Sequence, residues 1–206
     1  MVKRKRMMIA AIGCLVLGIG IGLCDHAQLG TDPFTVLLVG IQRHIRFTIG
    51  TKTVSATIGS LNLVVALLMI LFGFLVDRKM ISIVSFLAPF FTSVGIDLIG
   101  LLFPSPVHGQ ITPFIFLLIG ELLYATGTSL CIFANAGYDP YNSFLIGIQK
   151  LTGWKYKTVR WTVEIVFLLV GYLLGGTVGI GTAIALLMTA PLAERMVSFL
   201  KQKWPL

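Results

Sequence analysis

The chain has 206 residues, of which 56% are hydrophobic and only 12% charged, with a formal net charge of +8. A soluble domain carries about 25% charged residues, so there is too little polar surface here to cover a water-facing globule, and a soluble enzyme or binding module is excluded. Nor does the positive charge point to nucleic acid. The basic residues sit in short clusters between apolar runs, at 3–6, 43–52, 78–79, 150–160 and 195–203, the pattern of cytoplasmic loops against anionic lipid.

The first apolar run, residues 7–24, follows Lys3-Arg4-Lys5-Arg6 and has the outline of a signal peptide, with Ala11-Ile12-Gly13-Cys14 resembling a lipoprotein cleavage box. Its far end, however, is repeated in mid-chain, and a discarded leader has no reason to match a retained segment. It is therefore read as a retained first helix, about 27 Å long. Gly18 and Gly22 stand four apart on it, with Ala125 and Ser129 at the matching places later on. Small residues at that spacing let helices pack closely in lipid.

After a linker at 25–31 comes Gly30-Thr31-Asp32-Pro33-Phe34, which returns as Gly137-Tyr138-Asp139-Pro140-Tyr141. Residues 20–42 align without a gap on 127–149, an offset of 107, with eleven of 23 pairs identical. The chain reads as a duplicated unit. Asp before Pro is a helix-start signal, because the carboxylate accepts from free backbone N–H groups and proline has none to leave unpaired. The helices begun at Pro33 and Pro140 stay apolar for nine residues, to Ile41 and Ile148, before Gln42-Arg43 and Gln149-Lys150. Nine residues rise roughly 14 Å, about half the hydrocarbon thickness. These are expected to be half-helices, re-entrant or interfacial, bordering protein or a wet cavity.

Segment two covers 53–76 and segment three 80–103, with Pro89 and Asp97 inside the latter. The connector 104–110 marks the repeat boundary. Segment four covers 111–133 with Glu121 halfway, segment five 161–174 after a basic and aromatic stretch at 154–160, and segment six follows the glycine-rich turn 175–182 and ends near Phe199. Ala190-Pro191 echoes Ala88-Pro89. The expected architecture is all-α and polytopic. A single membrane domain (1–206) holds two homologous repeats at about 7–103 and 111–200, each helix, half-helix, helix, helix. If the half-helices re-enter, there are six spans, the second copy is inverted and both termini are cytoplasmic. If they cross, there are eight spans and parallel copies, and segment length favours the first arrangement.

Asp32 and Asp139 have two readings: plain helix caps, or parts of a site where two half-helix N-termini converge. Paired broken helices mark transporter sites, and the candidate set is Asp32, Pro33, Asp139, Pro140, Glu121, Gln42 and Gln149. The positive helix ends favour an anion, but the aspartates admit a cation or zwitterion equally. Glu121 has no partner nearby in sequence and is the first choice for a protonatable or cation-contacting group. Glu164, four residues from Arg160, reads as a helical ion pair. His26 and His108 sit at helix ends and read as loop histidines rather than ligands. Cys14, Cys24 and Cys131 form no CxxC motif, so no metal site or disulfide framework is expected. A Cys24–Cys131 bridge between equivalent positions is conceivable, against the plainer reading of two small apolar contacts. No cofactor is expected. Gly18-Ile19-Gly20 follows no strand, and P-loop, HExxH and Ser/His/Asp patterns do not occur, so an enzyme is not expected.

Three features are similar to the YczE/YyaS-like bacterial integral membrane proteins: Gly30, Pro33 and Phe34 after the first span, Gly95-Ile96-Asp97, and Gly179-Ile180-Gly181-Thr182 before the last. The departure is Asp before each Pro, where the resemblance leads one to expect Ser or another small residue. The resemblance implies a location in the bacterial plasma membrane and little about chemistry. The sequence therefore suggests a small secondary transporter or solute-binding membrane protein, with a non-transporting accessory protein for another membrane system as the alternative. Expected partners are membrane lipids, a small solute or ion, and a second copy or another membrane protein, with no nucleic acid.

Overall fold

The computed structural model describes the backbone at residues 2–49 and 52–203, and side chains at 4–45, 56–79, 81–189 and 191–203. The helices are α1 (Val2–Ala27), α2 (Pro33–His44), α3 (Ile58–Val76), α4 (Ile83–Leu102), α5 (Thr112–Ala134), α6 (Pro140–Thr152), α7 (Tyr156–Leu173), α8 (Ile180–Ile184) and α9 (Ala190–Lys203). A π-turn, Ala185–Thr189, joins the last two. Among the described residues the β-structure is one antiparallel hairpin, β1 (Arg46–Ile49) with β2 (Lys52–Ser55), Arg46 opposite Ser55.

Both short helices begin at their prolines, Pro33 and Pro140. Other boundaries differ from the sequence reading. Asp25 lies inside α1, which runs to Ala27 before Gln28 takes a left-handed φ of 52°. Thr53 lies in β2, so the helix expected from there starts at Ile58, where the Thr57 hydroxyl accepts from Ser60 N at 3.0 Å. Five stretches are long and apolar enough to cross a membrane: Arg4–Ala27, Ile58–Val76, Ile83–Leu102, Thr112–Ala134 and Ile180–Lys203. The α7 helix, also read as a span from its sequence, carries Lys157, Arg160 and Glu164 in its first half and is not among them. Broad apolar faces stay uncovered on the long helices, such as Val64, Leu67, Leu68, Leu71 and Leu75 on α3. A lipid environment accommodates such faces, whereas monomeric soluble proteins avoid apolar patches of that size.

The chain divides into two helical groups. The first comprises Met1–Asp32, Phe90–Ala136 and Val178–Leu206. Its spine is an antiparallel crossing of α1 and α5 made by glycines. A Cβ on Gly20 would stand 2.7 Å from the Gly120 carbonyl oxygen, and one on Gly127 2.6 Å from that of Gly13, so backbone lies directly on backbone. Gly18 and Gly22 instead face α4, against the Thr92 backbone and against Ile96 and Ile99. On α5, Ala125 is fully buried and the Ser129 hydroxyl donates to the Ala193 carbonyl on α9 at 3.2 Å. His26 ties α1 to the end of α4, with Nδ1 2.8 Å from the Gly22 carbonyl and Nε2 2.7 Å from that of Phe103. It sits at the helix end where the sequence placed it and holds two backbone carbonyls there.

The second group comprises Pro33–Pro89 and Gly137–Thr177. Here α2 packs on α7 and α3 on α6. Leu38 and Leu145, equivalent positions on the two short helices, are among the most buried side chains. Gly40 lies against the Gly171 backbone, and Gly147 against the Phe72 ring. Arg160 Nε donates to Glu164 Oε1 at 2.8 Å, the pair expected from the spacing.

Candidate functional site

Three buried polar residues of the first group, Thr31, Glu121 and Thr182, lie where α1, α5, α8 and the loop 28–32 meet. Gly30 has a φ of +98°, and a side chain there would meet Gly179 N at 2.5 Å and Thr182 Oγ1 at 2.6 Å. Gly181 N donates to the Leu29 carbonyl at 2.8 Å. Gly30-Thr31-Asp32 and Gly179-Ile180-Gly181-Thr182, far apart in sequence, therefore dock on each other with no room for a side chain at Gly30, Gly179 or Gly181. Under this junction Leu117 is 1% exposed, against Gly181 on one side and Cys24 on the other.

One helical turn further along α5 is Glu121, which is 8% exposed. Its Oε2 accepts from the Thr189 hydroxyl at 2.9 Å, and Cys24 Sγ lies 3.8 Å from Oε1. The Asp32 carboxylate is within electrostatic range of both Glu121 and Cys24. Glu121 makes no ion pair among the described residues. Beside Asp32, Thr31 is 3% exposed and its hydroxyl has no hydrogen-bond partner among the described residues. A buried carboxyl group without a cationic partner is too costly to hold as a bare anion. It keeps a proton or takes a cation.

Thr189 ends the π-turn, two residues before Pro191. Proline offers no N–H to the carbonyl four residues back and its ring crowds that turn, so the helix widens there. Such widened turns are frequent at functional sites. Thr189, Thr31 and Cys24 were absent from the sequence-derived set. Pro191 inside an apolar segment was the signal that an irregular turn, and a side chain released by it, lay just upstream.

The rest of the sequence-derived set lies in the second group. Asp139 caps α6: Oδ1 accepts from Asn142 N at 3.0 Å and Oδ2 from Asn142 Nδ2 at 2.6 Å. Tyr156 in turn donates to Asn142 Oδ1 at 2.6 Å. Ser85 Oγ donates to the Tyr138 carbonyl at 2.7 Å, and Gly137 packs against Ser82. The loop before α6 is thus seated on the start of α4, much as the loop before α2 is seated on the start of α8. Pro33 and Pro140 are both buried. The N-terminal ends of α2 and α6 converge, but through rings: Phe34 lies 5.9 Å from Tyr141 and 5.8 Å from Phe167, centroid to centroid. The polar gap expected between the half-helices is filled by these aromatics, since the residue after each proline is aromatic and turns toward its counterpart. Gln42 Nε2 donates to the Ala56 carbonyl at 2.9 Å, closing the hairpin segment. Gln149 is half-buried in α6.

The expected alternative of a Cys24–Cys131 bridge gives way to another pairing. Cys24 faces Glu121, and Cys131 faces Cys14 with the sulfurs 3.4 Å apart. In the antiparallel crossing the counterparts of a contacting pair contact each other in turn, Cys24 with Glu121 and Cys131 with Cys14, so equivalent cysteines point to opposite ends of the contact.

The family of unknown function DUF6198 matches residues 4–197. The chain belongs to DUF6198. Among its relatives is an uncharacterized protein of Haemophilus influenzae, 33% identical over 180 residues, 87% of this chain and 78% of that protein. YyaS of Bacillus subtilis is 26% identical over 86% of this chain and 85% of its own length. YczE of the same organism, an uncharacterized membrane protein, is 25% identical over 86% of this chain and 78% of its own. The YczE/YyaS resemblance read from the glycine motifs therefore holds for this DUF6198 chain, and a membrane location is supported by YczE together with the apolar helices. No solved structure matches.

Proposed function

We propose that this DUF6198 chain is a small secondary transporter or solute-binding protein of the bacterial plasma membrane, without enzymatic activity, whose working group is Glu121. One observation carries the reading: a carboxyl group buried in an apolar helix, beside Asp32, with Thr189 and Cys24 as its hydrogen-bonding neighbours and no ion pair among the described residues. The chemistry suits a proton or a small cation moved with or against a solute.

The duplication supports it. Under the offset of 107, Gly20 corresponds to Gly127 and Gly13 to Gly120, while Gly20 contacts Gly120 and Gly127 contacts Gly13. Phe34 corresponds to Tyr141 and touches it. Equivalent helices α1 and α5 run antiparallel, as expected for two inverted repeats with three crossings each. Both termini are then cytoplasmic, and residues 43–52 lie outside. Cytoplasmic labelling of a tag inserted there overturns this topology.

The direct test is flux. Purified chain is placed in liposomes holding a pH-sensitive dye, and gradients of Na⁺, K⁺, small organic cations and amino acids are imposed. Wild type should move protons in response to some of these, and Glu121→Gln should not, while eluting as the same monodisperse species. Equal flux in the variant, or none in wild type, removes the reading. The aromatic closure between α2 and α6 favours a second reading, an accessory protein for another membrane system. It requires a membrane protein that co-purifies in fixed ratio.

A further inference from the structure

We propose that Cys14 and Cys131 are a thiol pair that closes reversibly into a disulfide, fastening α1 to α5. Their sulfurs lie 3.4 Å apart. A bond of about 2.05 Å needs an approach of only about 1.4 Å, within reach of small side-chain rotations. The backbones are already as close as helices can come, because Gly13, next to Cys14, rests on the Gly127 carbonyl one turn from Cys131. A Cβ on Gly13 would even stand 2.9 Å from Cys131 Sγ. Cys14 is 4% exposed while Cys131 is only half-buried, so a reagent reaches the pair through Cys131. The third thiol is otherwise engaged: Cys24 is 3% exposed and lies near Glu121 and the Leu117 carbonyl.

Closure breaks two S–H bonds and forms one Sγ–Sγ bond, releasing two protons and two electrons. A membrane-dissolved quinone, the class of two-electron acceptor native to bilayers, takes up both to become the hydroquinone. Reduction by a dithiol reverses the step. Because the crossing is already in contact, the bond locks it while oxidised without displacing it. It needs no assumption about transport.

The test uses the full chain purified in detergent, with diamide as the probe; its azo bond accepts the two hydrogens and becomes a hydrazine. After oxidation and denaturation, N-ethylmaleimide counts the remaining thiols by intact mass. Wild type holds three cysteines, so it should fall from three adducts to one and regain three with dithiothreitol. Cys24→Ser should fall from two to none, and Cys14→Ser and Cys131→Ser should keep both. If wild type retains three adducts, if Cys24→Ser retains two, or if the link forms only between chains on a non-reducing gel, the pair is a packing contact and the proposal is wrong.

Discussion

Phe34 and Tyr141, the residues that follow the two helix-starting prolines, pack ring against ring with centroids 5.9 Å apart. Each ends the first step of a short helix, and Phe167 of α7 completes the cluster at 5.8 and 6.4 Å. Ring pairs contribute about 1 kcal/mol each beyond simple burial. Phe34→Ala loses two of them together with the ring's burial and should lower stability by about 3 kcal/mol, read as a lower unfolding midpoint in detergent. Phe34→Leu should lose less, and no change in either variant means the rings are incidental.

The glycine crossing predicts a sharp contrast. Gly20→Val places side-chain atoms in the space of the Gly120 backbone, and such overpacking costs roughly 1–3 kcal/mol or more. The variant should aggregate or fail to elute as wild type. Gly100 on α4 has nothing within 4 Å of a Cβ, and Gly100→Ala should be neutral or stabilising by about 1 kcal/mol, since alanine favours helix. Similar behaviour of the two variants contradicts the close crossing.

At Asp139 capping and function separate by substitution. Asp139→Asn keeps a cap and Asp139→Ala removes it, costing about 1 kcal/mol. Unfolding in detergent should rank wild type and Asn together above Ala. Any liposome flux should follow the same ranking if capping is the whole role. Flux lost in the Asn variant at unchanged stability assigns the carboxylate a part in the site.

Asp77, in the turn between α3 and α4, accepts from Lys150 Nζ and from Lys79 N. The Lys150 hydrogen bond first, and the Lys79 backbone bond next, hold its carboxyl below the ordinary value of 3.8. A carboxylate depressed on folding stabilises above its unfolded value, and that contribution is lost as pH falls through the folded one. Stability should therefore decline below about pH 4, and Asp77→Asn should remove that part of the decline. The effect is small because the pair is exposed. An unchanged acid profile in the variant rules the pair out as a contributor.

The helix starts were legible because they rest on local chemistry: Pro33 and Pro140 begin their helices whatever surrounds them. The hairpin was not, as residues 46–55 lack turn residues of a recognisable pair beyond Gly50. Partners were the harder matter. Glu121 stood out as an ionisable residue in an apolar run, but its neighbours Thr189 and Cys24 come from helices 68 and 97 residues away. Nothing in the local pattern ranks such distant pairs. The ends of α2 and α6 drew attention as polar, while the aromatic residue after each proline determined what fills the space between them.

The widened turn at Ala185–Thr189 leaves the register of the C-terminal helix hanging on one residue. Winding the same residues as ordinary α-helix, as Pro191→Ala would permit, would rotate everything beyond the turn by about 100°. Ala193 and Val197, now buried, would swing outward, and the neighbours of Ser129 would change with them. A single substitution at that proline is thus the smallest edit expected to uncouple Thr189 from Glu121.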